Sequence, residues 1–227
     1  MLNELKPSVP QFDLIIYDLD GTLLDTRQDI HNAVVEVQQK LTLPVQTFET
    51  TVSYVGNGIT KLLERSLPEL SVEGLQQARN IFDAFYRKNM WVYTQVYPGV
   101  TQLLEDSVEP KMAVLSNKSQ SYVRELVAHF KLSHHFTQVL GARSDMLKKP
   151  DPQGINHILK ETNASPQRAI LVGDTKNDIL AGKAAGIYTC GVSYGFRSRG
   201  VLQAFDPDFL VDTVSELRTL FKLSPSS

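Results

Sequence analysis

The chain holds one cysteine, Cys190, so no internal disulfide can staple it. Stability must come from buried apolar surface, and so sparing a use of thiols fits a reducing cytosol. No charge of one sign dominates: 23 Lys and Arg face 25 Asp and Glu, a net charge of −2. A strong cationic field is thereby excluded, which argues against nucleic acid as the main partner. Long hydrophobic runs are missing; none approaches the roughly 20 apolar residues that span a bilayer. Met1–Pro10 contains no apolar stretch of signal-peptide length. Internal repeats are absent, and the only biased tract is the short polar tail Ser224–Ser227. These absences predict a cytoplasmic protein with no membrane contact, as a monomer or homodimer.

What is present is enough for a sizeable core. The 227 residues are 42% apolar, sufficient for one large domain or a domain carrying an insertion. The most informative stretch is Leu14-Ile15-Ile16-Tyr17-Asp18-Leu19-Asp20-Gly21-Thr22. An apolar run reads as a buried strand, and two aspartates stand where it leaves the core. Carboxylates so crowded repel each other unless a cation or a proton relieves them. That need suggests a Mg²⁺ site with a carboxylate free to react. A hairpin turn at Asp20-Gly21 is the plainer alternative.

From Tyr97 onward strand and helix patterns alternate. Strands are predicted at Lys111–Leu115, Phe136–Leu140, Ala169–Val172, Ile187–Val192 and Phe209–Val211. Helices are predicted at Ser119–Phe130, Asp151–Glu161, Asp178–Ala185 (stopped by Gly186) and Thr213–Leu220, the last opened by a Thr213–Glu216 capping box. Such alternation builds an α/β fold, a mostly parallel sheet flanked by helices. Residues 26–96 break the rhythm. Ile30, Val34, Val37 and Leu41, then Ile59, Leu62, Leu63 and Leu67, then Ile81, Phe82, Phe85 and Tyr86 recur at helical spacing. The expectation is a core of residues 1–25 and 97–227 with a helical cap inserted at 26–96, hinged near Asp25–Arg27 and Trp91–Gly99. A cap so placed overhangs the carboxyl ends of the strands, where open α/β sheets bind ligands. It can act as a lid, or as a rigid lobe present only for packing.

Four segments should meet at that edge: Asp18–Thr22, Ser116-Asn117-Lys118, Lys148–Pro152, and Gly173-Asp174-Thr175-Lys176-Asn177-Asp178. Together they supply a kit for phosphoryl transfer. Asp18 and Asp174 offer the hard oxygens that Mg²⁺ prefers. One carboxylate can attack phosphorus, and the aspartate two residues on can protonate the leaving oxygen. A lysine and a serine hydroxyl can hold the phosphoryl oxygens. Singly, each segment has a dull reading. Ser116-Asn117 is an ordinary helix cap, Lys149 a solvated loop lysine, and Asp174 and Asp178 helix-start carboxylates.

Taken together, the four segments resemble the motifs of haloacid-dehalogenase-superfamily phosphatases, nearly end to end. The resemblance implies a Rossmann-like core with Asp18 as nucleophile and Asp20 as acid/base. Ser116, beside Asn117, would be the second motif and Lys149 the third. Gly173-Asp174 and Asp178 would be the fourth. It also implies that Asp18, Asp174 and the main-chain carbonyl of Asp20 bind Mg²⁺, with Asp178 behind them. Dehalogenases of this family lack the second aspartate, and its phosphomutases tend to carry a larger apolar residue where Thr22 stands. Val55-Gly56-Asn57-Gly58, Ser116-Asn117-Lys118, Lys149-Pro150-Asp151-Pro152 and Tyr194-Gly195 look most like the phosphoglycolate phosphatase subfamily. The implied partner is a small phosphorylated metabolite, 2-phosphoglycolate first. The alternatives are a pyrophosphatase, a sugar-phosphate or nucleotide monophosphate phosphatase, or a non-catalytic binder.

Lesser features stay open. Gly56, Asn57 and Gly58 either bring backbone N–H groups to a small anion or form a simple turn. Lys118 either meets a substrate carboxylate or is a commonplace exposed lysine. Arg197 and Arg199 read as solvent-facing. His31, His129, His134, His135 and His157 show no metal spacing.

Overall fold

In chain order the elements are β1 (Leu14–Tyr17), β2 (Leu24–Asp25), α1 (Arg27–Lys40), α2 (Phe48–Tyr54), α3 (Ile59–Ser66), α4 (Val72–Asn89), β3 (Gln95–Val96) and α5 (Val100–Asp106). There follow β4 (Lys111–Ser119), α6 (Gln120–His129), β5 (Gln138–Ala142), α7 (Gln153–Thr162), β6 (Ala169–Gly173), α8 (Lys176–Ala185), β7 (Tyr188–Val192), α9 (Arg199–Gln203), β8 (Phe209–Val211) and α10 (Val214–Leu220). The structure is a computed structural model that describes residues 10–107 and 109–222, so Met1–Val9 and the tail Ser224–Ser227 lie outside the described residues.

Six strands form one sheet in the order β5-β4-β1-β6-β7-β8, with every pairing parallel. β1 is central and buried at all four positions, as expected of a strand covered on both faces. Its side chains divide by the period of two. Leu14 and Ile16 join a cluster with Ile155 and Ile158 of α7 and Ala181 of α8. Ile15 and Tyr17 join a larger cluster with Leu103 of α5, Val123 and Leu126 of α6, and Leu217 of α10. That cluster runs on without a break into Ile30, Val34, Leu62, Leu63, Phe82 and Tyr86 of α1, α3 and α4.

The elements match the sequence reading in kind and shift at their ends. β4 continues past Leu115 to Ser119 with an irregular register between those two residues. Ser116-Asn117-Lys118 is therefore carried by a strand rather than a loop. β5 begins at Gln138 because Ser133–His135 forms a 3₁₀ turn that delays it. Gly186 ends α8 at φ +69, a conformation that favours glycine. Thr213 caps α10 by accepting from the Glu216 N–H at 3.2 Å, but Glu216 returns the bond to the N–H of Asp212. Three helices fall outside the sequence reading: α2, which buries only Thr51, and α5 and α9, which are seven and five residues long.

β2 and β3 lie where the chain leaves and re-enters the sheet region. They pair as a two-residue antiparallel ladder, Leu24 with Val96 and Asp25 with Gln95. Asp29, in the first turn of α1, fastens the returning chain. Its buried carboxylate accepts from Tyr93 N at 3.0 Å, Thr94 N at 2.8 Å and Thr94 Oγ1 at 2.8 Å. Replacing Asp29 by Ala strands these donors, and the expected loss is about 2–4 kcal/mol of unfolding free energy. Urea unfolding checks it: Asp29→Asn, which keeps one acceptor oxygen, should lose less.

Candidate active site

The parallel register aligns three strand ends. Tyr17 pairs with Val114 and Val172, so Asp18, Ser116 and Asp174 all follow at the same edge. The Asp18 N–H donates to Val172 O at 2.9 Å and continues the ladder one residue into the site. Asp18 is 7% exposed, and its Oδ1 accepts from Leu19 N at 2.7 Å and from Lys149 Nζ at 3.1 Å. Lys149 also donates to Asp178 Oδ1 and Leu115 O, each at 2.6 Å. The other Asp178 oxygen accepts from Thr175 N at 3.0 Å and Thr175 Oγ1 at 2.7 Å, which caps α8. Asp174 accepts from Phe196 N at 2.8 Å through Oδ2, while its buried Oδ1 has no hydrogen-bond partner among the described residues.

Carboxylate oxygens of Asp18, Asp174 and Asp178 lie within 4.8 Å of one another. Glycine makes part of this crowding possible: Gly21 stands at φ +82, and a Cβ there would fall 2.1 Å from Asp174 Oδ2. Three buried carboxylates outnumber the one ammonium among them. Burial foremost, then Asp178 and Asp20, push Asp18 up to about 7 against the pull of Lys149. Burial, then Asp18 and Asp178, hold Asp174 well above the usual carboxylate range. Burial works against the Lys149 ammonium, yet Asp178 and Asp18 outweigh it and keep it protonated. An unpartnered carboxylate oxygen in a buried anionic cluster fits a divalent cation, which would relieve the repulsion.

Asp20 points elsewhere. Its carboxylate accepts from Thr26 Oγ1 at 2.7 Å and from Lys118 Nζ at 2.9 and 3.1 Å. Lys118 is not an exposed lysine. It is 9% exposed, with its ammonium 4.9 Å from the Tyr86 ring centroid. Ser116 Oγ accepts from Lys118 N at 3.3 Å, and Asn117 Nδ2 donates to Lys149 O at 2.8 Å. Lys176, the other lysine of the fourth segment, is exposed.

The helical segment closes one side. A cavity of about 50 Å³ lies between Asp18, Asp20, Ser116 and Lys118 on the sheet side and Ile30, Leu62, Phe82 and Tyr86 on the helices. Gly56 and Gly58 also line it. The loop they bracket presents a carbonyl here: Gly56 O accepts from Asn117 Nδ2 at 3.0 Å and Asn177 Nδ2 at 3.1 Å. Asn57 bonds Asn177 and lines a separate cavity with Arg65, Lys176 and Arg197, so it does not join Asp18. Arg197 is half-buried rather than solvent-facing. It donates to the carbonyls of Val52, Ser53 and Val55 at 2.8–3.2 Å, at the C-terminal end of α2. Arg199 is exposed and pairs with Asp212.

Sequence reasoning passed over Thr26, Thr175, the Phe196 N–H and the aromatic wall. Phe82 and Tyr86 were visible as a helical stripe, but a stripe does not say which part faces a cavity.

A carboxylate cluster, a buried lysine and a walled cavity at the carboxyl edge of a parallel sheet place the chain among the α/β proteins that bind ligands at that edge. The model of the haloacid dehalogenase-like hydrolases matches residues 15–192. The phosphoglycolate phosphatase of Vibrio cholerae serotype O1 is 36% identical over 213 residues, covering 90% of this chain and 94% of its own. That of Haemophilus influenzae strain Rd is 30% identical over 220 residues, covering 92% and 98%. The crystal structure of a predicted phosphoglycolate phosphatase from Haemophilus somnus superposes with TM-score 0.88 at 26% identity, covering 93% of this chain and 98% of that one. The chain belongs to the haloacid dehalogenase-like hydrolase family. It is a phosphoric monoester hydrolase similar to the phosphoglycolate phosphatases.

The raised carboxyls set a pH dependence. A carboxyl whose pKa is higher folded than unfolded binds its proton more tightly in the native state. Its stabilising contribution is full below the ordinary value near 3.8 and disappears as pH rises through about 7. In chelator, Tm should therefore fall across that window more steeply for wild type than for Asp18→Asn. Added divalent cation should raise wild-type Tm more at high pH than at low. Calorimetry showing equal slopes for the two proteins would contradict this.

Proposed function

We propose that the chain is a Mg²⁺-dependent phosphatase acting on 2-phosphoglycolate through an aspartyl-phosphate on Asp18. The observation that carries the reading is the pairing of Asp18, held by Lys149, with a second carboxylate two residues away that faces the same cavity. Residues 1–25 and 97–227 are the catalytic core, and 26–96 the cap.

Asp18 attacks phosphorus, and the bond to the leaving oxygen breaks on the far side. Asp20 gives its proton to that oxygen, then takes one from the water that cleaves the acyl phosphate. Asp20 suits the task because Thr26 holds it away from the carboxylate cluster. Lys149 and Ser116 bind phosphoryl oxygens, and Lys149 also aims Asp18 through its 3.1 Å contact. Asp18, Asp174 and the Asp20 carbonyl would hold Mg²⁺, with Asp178 fixed behind them by Lys149 and Thr175. Bound there, the ion supplies the positive charge that lets an anionic carboxylate approach an anionic phosphate. The apolar helical wall excludes water from the rest of the cavity.

The phosphoglycolate phosphatases of Vibrio cholerae and Haemophilus influenzae, similar to this chain over most of its length, support the choice of a small substrate.

Asp18→Asn should lower kcat at least about a thousandfold with the fold intact. Excess chelator should silence the wild type, and Mg²⁺ restore it. Phosphate release across a panel of phosphorylated metabolites, compared by kcat/KM, checks the substrate. Near-normal turnover by Asp18→Asn would overturn the mechanism.

A further inference from the structure

We infer that Lys118 selects substrates whose leaving group carries a carboxylate, by trading its bond to Asp20 for a bond to that carboxylate. The inference rests on the phosphatase reading above and goes a step past it.

Lys118 follows Ser116 by two residues on β4, so its backbone stands beside the phosphate-handling end of the sheet. Its side chain is nearly as buried as Lys149, and a buried ammonium is tolerated only with a partner. Here the partners are both oxygens of Asp20 and the face of Tyr86. Among the described residues lining the cavity, Lys118 is the one cation. Lys149 does not line the open space; it is engaged with Asp18, Asp178 and Leu115 O and serves the phosphoryl end. The remaining wall is largely apolar, with Ile30, Leu62, Phe82 and Tyr122. Lys148 stands beside Gly58 and Arg79 reaches Ser119 at 3.5 Å, but neither lines the cavity itself.

The pairing also constrains Asp20. To protonate the leaving oxygen, its carboxyl has to turn from Lys118 toward phosphorus. A neutral leaving group offers Lys118 nothing in exchange, so the turn would leave a buried ammonium without an anion. A carboxylate on the leaving group replaces Asp20 as partner, and Thr26 still holds Asp20 at Oδ1. Lys118 stays paired through the exchange, and Asp20, released from the ammonium, takes up a proton from solvent and then gives it to the leaving oxygen, so no buried charge is left alone.

The test compares leaving groups that differ in charge. Wild-type enzyme with Mg²⁺ is assayed on 2-phosphoglycolate, ethyl phosphate and pyrophosphate. Its kcat/KM should favour 2-phosphoglycolate over ethyl phosphate by about 10- to 100-fold, the worth of one charge-assisted bond. In Lys118→Met, which keeps the apolar stem against Tyr86, that ratio should fall close to one. Glycolate should inhibit wild-type hydrolysis of ethyl phosphate and inhibit Lys118→Met at least about tenfold less. Circular dichroism establishes that the variant is folded; if it is not, the wild-type ratio and glycolate inhibition decide alone. Equal losses on 2-phosphoglycolate and ethyl phosphate in the variant, or a wild-type ratio near one, would overturn the inference while leaving the phosphatase reading intact. Preference for pyrophosphate would overturn the carboxylate assignment. Failure of wild type to hydrolyse any of the three would instead overturn the phosphatase reading.

Discussion

Three buried carboxylates share one ammonium, and much of the molecule is arranged around that imbalance. Lys149 can meet Asp18 and Asp178 together only because β1 and β6 are paired in register and α8 starts directly after β6. A slip of one residue in either strand would send the carboxylates to opposite faces of the sheet. The apolar clusters on both faces fix the register, and the register delivers the charges. Burial then gives the cluster its chemical character, since the same aspartates in water would neither repel so strongly nor hold protons so tightly.

The sequence carried the sheet, because central parallel strands are unbroken apolar runs with abrupt ends. Asp18 and Asp174 were legible for the same reason, as each stands just beyond such a run. Lys149 was less so, since nothing in its neighbourhood shows that a loop lysine is buried. Lys118 was ambiguous, and Arg197 was placed in solvent, because each depends on partners more than 90 residues away in sequence. Such contacts leave no periodic trace. Asn57 failed in the opposite sense. Its loop does reach the site, but the asparagine side chain turns to Asn177 and a neighbouring cavity.

The helical segment and the sheet share one apolar cluster, yet the contacts next to the reacting groups are polar. Asn117 of β4, Asn177 of α8 and Arg197 of the segment before α9 reach across. This division has a physical logic. Apolar packing supplies most of the attachment without direction, whereas hydrogen bonds at fixed angles set the height of the wall above Asp18 and Asp20. The Asp29 carboxylate does similar work at the base, where it binds the returning chain to α1.

Apart from the Asn57 side chain that meets Asn177, the acceptors in that clasp are main-chain oxygens: those of Val52, Ser53, Val55 and Gly56. A carbonyl is present whatever side chain stands beside it. Residues 52–55 can therefore exchange their side chains through evolution while the grip of Arg197 and the two asparagines persists. Attachment of the helical segment is thereby uncoupled from side-chain identity at these positions, which are free to vary without loosening the wall above Asp18 and Asp20.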